Sequence, residues 1–383
     1  MKTKLFIFLS LALLLAFSAT AKPRRQVVLP KRPGLYDSLF VTAMYRKVPP
    51  EKFVWNWRDA VLMKSFIDIA RCDENRRPEV EEYVLSAMTR LAPKAHGRHP
   101  NGIAAGVGLA WLKEIGKNTP ETDAALDRVL QHYREIPRAA NGGCSHRPGR
   151  VELWDDTVYM LDIFLIGCYR ATGNPAYLQD MAEQLIAHAE HLRDPKTGLW
   201  YHGWSESPDS YDDKCCQNGW NANPLHRNSE FWGRGNGWVA MAYADLLEAM
   251  RPDAPDYTRL KKEYQKMASS LRKMQDRRNG LWYQLPARSE EKGNYLETSC
   301  SAMFAYSLAK GARIGLLPRK YLKCADKAYS MLRGHFQRNT LDGVCEGSCI
   351  GDKNYYLSRK RVSGETYADG AFLMLDNELK INK

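Results

Sequence analysis

Two short stretches carry residue types suited to chemistry. The first, Phe231-Trp232-Gly233-Arg234-Gly235-Asn236-Gly237-Trp238, sets a guanidinium between two indoles on a backbone bared by three glycines. Indole faces match the apolar faces of sugar rings. A planar guanidinium matches a carboxylate, and glycine admits a ligand close to the main chain. The second, Trp154-Asp155-Asp156-Thr157-Val158-Tyr159-Met160, brings adjacent carboxylates into the head of an apolar helix. Together they predict a site for an acidic sugar beside a carboxyl group that moves protons. A purely structural reading competes, in which the tryptophans are core and the carboxylates merely complement the helix dipole. Glycines at a helix head weaken it unless something needs the space. Phosphate binding is disfavoured, because the Lys-Ser/Thr ending of a P-loop is missing and no clear strand precedes the loop.

Helical geometry separates the two carboxylates. Asp156 shares a row with Met160 and Ile163, whereas Asp155 shares one with Tyr159 and Asp162. Asp156 is therefore expected on the more apolar side, with a proton affinity raised by desolvation as a proton donor requires. His202, in Trp200-Tyr201-His202-Gly203-Trp204, is a candidate to contact a ligand oxygen or place a water, and His146 is a second, weaker one. Trp55 and Trp57 could offer a stacking face or simply pack in the core. The chain has no Gly-x-Ser-x-Gly elbow, no His-Glu-x-x-His and no GxGxxG after a strand. These absences argue against an α/β-hydrolase, a zinc protease and a dinucleotide enzyme.

The elements that must position these residues are helical by periodicity. Helices are predicted near 35–46, 53–71, 78–93, 102–117, 120–136, 151–172, 174–192, 232–251, 256–276, 295–315, 317–334 and 364–380. Several are apolar around much of their circumference, as in 102–112, and so are buried on more than one side. A loop repeats weakly: Asp194-Pro195-Lys196-Thr197-Gly198-Leu199-Trp200 is echoed by Asp276-Arg277-Arg278-Asn279-Gly280-Leu281-Trp282, and more faintly by 338–345. Twelve helices with recurring helix-end loops predict six hairpins closed into an all-α toroid. An open solenoid should repeat more regularly.

The chain opens Met-Lys-Thr-Lys, continues apolar from Leu5 to about Phe17, and offers Ala19-Thr20-Ala21 before Lys22. This predicts a signal peptide over residues 1–21, export to the periplasm or beyond, and one domain over 22–383 without a membrane span. The net charge of +12 comes from scattered Lys and Arg. That spread suits a solvated surface or an acidic polysaccharide, and nucleic acid is a poor partner for an exported chain. Nine cysteines are too few for a disulfide scaffold in 383 residues. Cys215-Cys216 and Cys345/Cys349 lie in loops and could oxidise after export. The longest irregular region, 203–230, reads as a lid; its Asp209, Asp212 and Asp213 do not have EF-hand spacing.

The combination of motifs resembles the unsaturated glucuronyl/rhamnogalacturonyl hydrolases, glycoside hydrolase families 105 and 88. It rests on 154–160, Tyr201-His202-Gly203-Trp204, 232–238, Glu297-Thr298-Ser299-Cys300 and Tyr355-Tyr356 with Arg359, and it spans nearly all of the chain after residue 21. The resemblance implies an (α/α)6 barrel acting on oligosaccharides that end in a 4,5-unsaturated uronic acid. It implies Asp156 as the catalytic acid and Arg234 on the uronate carboxylate. Trp232 and Trp238 would wall the sugar, His202 would meet the ring or a water, and Trp57 matches an aromatic position of the family; with Asn101, His146 and Asn236 these make up the expected substrate contacts. No metal or organic cofactor is implied. At Asn101 the family often has a second Asp; an amide cannot supply the same proton. A non-catalytic carbohydrate-binding protein and a sugar epimerase or isomerase are the alternatives on this scaffold.

Overall fold

The computed structural model describes residues 35–208 and 214–381. The expected signal peptide and Asp209, Asp212 and Asp213 lie outside them. The helices, in chain order, are α1 (Leu35–Thr42), α2 (Trp57–Cys72), α3 (Arg77–Leu91), α4 (Pro100–Ile103), α5 (Val107–Glu114), α6 (Pro120–Glu135) and α7 (Asp155–Thr172). They continue with α8 (Ala176–Leu192), α9 (Gly233–Ala249), α10 (Tyr257–Met274), α11 (Thr298–Arg313), α12 (Lys320–Leu332), α13 (Lys353–Leu357) and α14 (Thr366–Ile381). A 3-10 turn, Ala104–Gly106, joins α4 to α5, so these act as one kinked helix.

Periodicity explains which helices go inside. α9 and α11 are buried around nearly their whole length, polar residues such as Asn236, Ser301 and Ser307 included. α10 is amphipathic: Leu260, Tyr264, Met267 and Leu271 point inward, while Lys262, Lys266 and Arg272 are exposed. Accordingly α2, α4–α5, α7, α9, α11 and α14 form an inner ring, each packed on the next, and α14 returns to α2 to close it. The helices α1, α3, α6, α8, α10 and α12 pack outside. This is the expected (α/α)6 toroid. No helix among the described residues is long and apolar enough to cross a membrane.

The repeated loop has a physical basis. In both copies the Gly takes a left-handed φ (Gly198 77°, Gly280 70°), and its N–H donates to the carbonyl of the leading Asp at 2.8 Å. The Asp side chain then accepts the N–H of Thr197 in one copy and of Asn279 in the other. The turn reverses each outer helix and feeds the next inner one from a common end of the ring. There, β1 (Glu152–Trp154) pairs antiparallel with β2 (Gly203–Ser205), Trp154 opposite Gly203. Three further two-stranded ribbons lie in the described loops. At the far ends of the inner helices, Lys64 and Lys310 reach Asp245 at 3.2 and 2.7 Å.

Candidate active site

The β1–β2 register places the chemistry. The Asp155 N–H donates to the His202 carbonyl at 2.9 Å, so the head of α7 and the loop before β2 are held together. His202 Nε2 then lies 3.0 Å from Asp156 Oδ2 and 3.8 Å from Asp155 Oδ1. The other ring nitrogen, Nδ1, is 2.7 Å from the Tyr356 hydroxyl. That hydroxyl accepts from the Gly351 N–H at 3.3 Å and from Asn228 Nδ2 at 3.5 Å. With both lone pairs used, its hydrogen goes to Nδ1. The imidazole proton is thereby assigned to Nε2, where it is donated to Asp156.

The two carboxylates differ in the sense opposite to the one read from helical rows. Asp155 is fully buried, while the Asp156 side chain keeps 18% exposure. Burial, then the neighbouring Asp156, push Asp155 well above the ordinary carboxyl range. Burial also opposes ionisation of Asp156, but the hydrogen bond from His202 and the imidazoles of His202 and His146 outweigh it and bring it to about 2. The row argument failed because α7 is packed on every side. Met160, Ile163, Tyr159 and Asp162 are all buried, so row polarity says nothing about which residue meets the mouth. The donor atoms of Asp155, Asp156 and His202 fall within 4.8 Å of one another. With the His202 hydrogen directed at Asp156, the trio is arranged to move a proton.

His146 joins this centre. Its Nδ1 is 2.9 Å from Thr157 Oγ1, and its ring stacks on Trp154 at 4.4 Å and 10°. Burial foremost holds His146 well below the usual histidine range. From the segment of Asn101, the ring that meets His146 is that of His99, 4.8 Å away. Asn101 gives its N–H to His99 Nδ1, which caps α4.

The Trp-Gly-Arg-Gly-Asn-Gly-Trp stretch is built differently from its expected use. Trp232 and Trp238 are both buried. One face of Trp232 lies on His202 at 4.5 Å, and the Arg234 guanidinium is 4.3 Å from its ring centre. Trp238 stacks on Tyr159 at 5.2 Å. Neither indole has a face left for sugar. Arg234 is 2% exposed and donates to the carbonyls of Cys345 (2.6 Å) and Glu346 (3.0 Å), so it sits beneath the site as a fixed charge rather than as an open fork. Asn236 accepts from Trp200 N and donates to the carbonyls of Trp200 and Trp232, which makes it a clamp between loops. Gly235 leaves room for Asp155, since a Cβ there would lie 2.1 Å from Asp155 Oδ2. Trp57, half-buried against Trp238 and Tyr367, is the indole of the expected set that retains exposure.

Tyr356 is the member of the centre to which sequence reasoning gave no role. Its place in the Tyr355-Tyr356 pair was visible, but its contact with His202, 154 residues away, was not. A disulfide, Cys215–Cys349, ties the 214–231 loop to the segment carrying Tyr356. Tyr355 reinforces it, accepting the Cys349 N–H at 3.0 Å and donating to the Cys215 carbonyl at 3.4 Å. Cys216 and Cys345 are buried and take no part in that disulfide; Cys216 Sγ accepts from Arg147 Nη2 at 3.5 Å.

The profile of Glycosyl Hydrolase Family 88 matches residues 40–381. An unsaturated rhamnogalacturonyl hydrolase of Bacillus subtilis is 25% identical over 294 residues, covering 73% of this chain and 78% of the relative. An unsaturated 3S-rhamnoglycuronyl hydrolase of an Alteromonas species is 28% identical over 232 residues, 57% of this chain and 52% of the relative. A solved family 105 glycoside hydrolase of C. acetobutylicum superposes with a TM-score of 0.76 at 24% identity, covering 90% of this chain and 99% of that one. An unsaturated glucuronyl hydrolase of a Bacillus species gives 0.64 at 16% identity, covering 90% and 95%. At these identities, the two structures speak to the fold.

Proposed function

The chain belongs to Glycosyl Hydrolase Family 88, and from that premise we propose that it removes a 4,5-unsaturated uronic acid from the non-reducing end of lyase-generated oligosaccharides. An ordinary glycosidase sets two carboxyl groups on opposite sides of the scissile bond. Here the adjacent pair stands on one helix, and Asp155 is fully buried, so the pair presents a single carboxyl to the mouth. One carboxyl suffices if the ring contains an enol ether. Asp156 protonates C4, water adds at C5, and Asp156 recovers a proton from that water. The resulting hemiketal opens, releasing the next sugar and a 4-deoxy-5-keto uronate. His202 orients Asp156, and the buried charge of Arg234 favours an anionic ring in the mouth. Trp57 offers the sugar a face, and His146, backed by Trp154, borders the reacting group.

The observation that carries this reading is the 3.0 Å contact between His202 and a carboxyl at the head of an inner helix, in a wall of aromatic rings. The chemistry calls for no metal or organic cofactor. We place the leader at residues 1–21 and the hydrolase domain at 22–383, exported to the periplasm or beyond. The Cys215–Cys349 bond supports an oxidising destination. The parent polymer is a rhamnose-containing uronate polysaccharide, in keeping with the relatives' substrates.

Purified protein incubated with lyase products of rhamnogalacturonan and of sulfated rhamnoglycuronan should bleach the ultraviolet absorbance of the conjugated uronate. Asp156→Asn should lower kcat by about 10²–10⁴-fold while the fold, read by circular dichroism, is retained. Wild-type turnover in that variant would refute the assignment of the acid.

A further inference from the structure

Asp155 has a place in the site that the reaction above does not use. It is fully buried, and no residue other than its neighbour Asp156 bonds to its oxygens. Asp156 receives the donor hydrogen of His202, whereas Asp155, 3.8 Å from the same nitrogen, receives none. An ionised carboxylate left without donors in the interior is costly, whereas a neutral acid there is tolerable. The groups facing Asp155 are Asp156, His202, Arg234 and Tyr356. Of these, Arg234 is the only fixed positive charge, and its hydrogen bonds go to main-chain carbonyls. Gly235, whose lack of a side chain makes room for the carboxyl, keeps it pressed against the head of α9.

We propose that Asp155 and Asp156 share one proton, held by Asp155 in the resting enzyme and passed to Asp156 when an anionic sugar enters the mouth. The proposal rests on the functional reading above. A substrate carboxylate raises the proton affinity of the nearer, exposed Asp156 more than that of Asp155. The proton leaves the Asp155 carboxyl, bonds to Asp156, and then goes to C4. The carboxylate left on Asp155 is offset by Arg234. When water adds at C5 its proton goes to Asp156, and it returns to Asp155 as the anionic product leaves. One proton enters from water for each proton delivered to carbon, so the pair ends as it began. The burial-driven upward displacement of Asp155 and the downward one of Asp156 agree with this placement. Asp155 is a partner acting through Asp156, since it does not itself reach the mouth.

Difference infrared spectroscopy of the ligand-free protein at neutral pH tests the resting state without substrate. The difference between wild type and Asp155→Asn should show a protonated-carboxyl band that is missing from the difference between wild type and Asp156→Asn; the equally buried Asp162 contributes to all three proteins and cancels. Kinetically, Asp155→Asn should keep KM but lose kcat roughly tenfold or more at neutral pH. That kcat should keep falling as pH rises across a range where the wild type is flat. Asp155→Val provides the same comparison should the amide variant misfold. No protonated-carboxyl band in the difference between wild type and Asp155→Asn, or wild-type kcat and pH profile in both Asp155 variants, overturns the proposal. A wild-type protein that consumes no unsaturated uronide would instead defeat the functional reading and leave the infrared result standing.

Discussion

Replacing Gly235 with alanine probes the packing that presses Asp155 into place. The added Cβ would lie 2.1 Å from Asp155 Oδ2 and 2.5 Å from its Cγ, where ordinary contact begins at 3.4 Å. About 1.3 Å must be found between the heads of α7 and α9. Asp155 is fully buried and cannot swing into solvent, so the displacement is shared with the neighbouring Asp156. Overpacking of this size costs about 1–3 kcal/mol of stability. A misplacement of about 1 Å at a reacting group costs roughly 10²-fold in rate. Gly235→Ala should therefore lose about two decades of kcat with little change in KM. A double-mutant cycle with Asp155→Ala, read by denaturant unfolding, should be strongly non-additive, because removing the carboxyl makes room for the new methyl. Additive stabilities, or an alanine variant with wild-type kcat, would refute the idea that this glycine serves the acid pair.

Tyr356→Phe should cost about 1–3 kcal/mol, because it strips a buried imidazole nitrogen of its donor. It should also raise the acid limb of the kcat/KM profile, since His202 is no longer held to donate to Asp156. Breaking the disulfide with Cys349→Ser should lower stability by about 2–5 kcal/mol, the range expected for so long a loop, and activity should fall with it; calorimetry with and without reductant checks both. Asp155 carries a stability signature as well. Its folded-state proton affinity lies above the unfolded value of 3.8, so its contribution is intact below that pH and declines as pH rises toward the folded value. Asp155→Val should accordingly melt higher than wild type at neutral pH and lose that advantage in acid.

The ring of hairpins was legible because each inner helix is apolar around its circumference and each outer one along a stripe. The Asp-x-x-x-Gly turns between them repeat for a stated backbone reason. That His202 and Asp156 belong to one site was legible as a set of motifs; the hydrogen bond between them was not. What a linear reading missed was depth. Trp232, Trp238, Arg234 and Asn236 have the residue types of a sugar site, yet their faces and donors are spent on His202, Tyr159 and loop carbonyls. The row argument inverted Asp155 and Asp156 because a helix buried on all sides has no polar row to face water. Tyr356 and the Cys215–Cys349 pair depend on contacts across more than a hundred residues, which no local pattern records.

The central claim is that the alkene, rather than the glycosidic bond, is attacked, with Asp156 as the proton donor. Its most direct test follows sugar release and loss of the unsaturated chromophore in one reaction mixture. The two should advance together, one for one, and stop together in Asp156→Asn. Free sugar accumulating while the chromophore survives would contradict it.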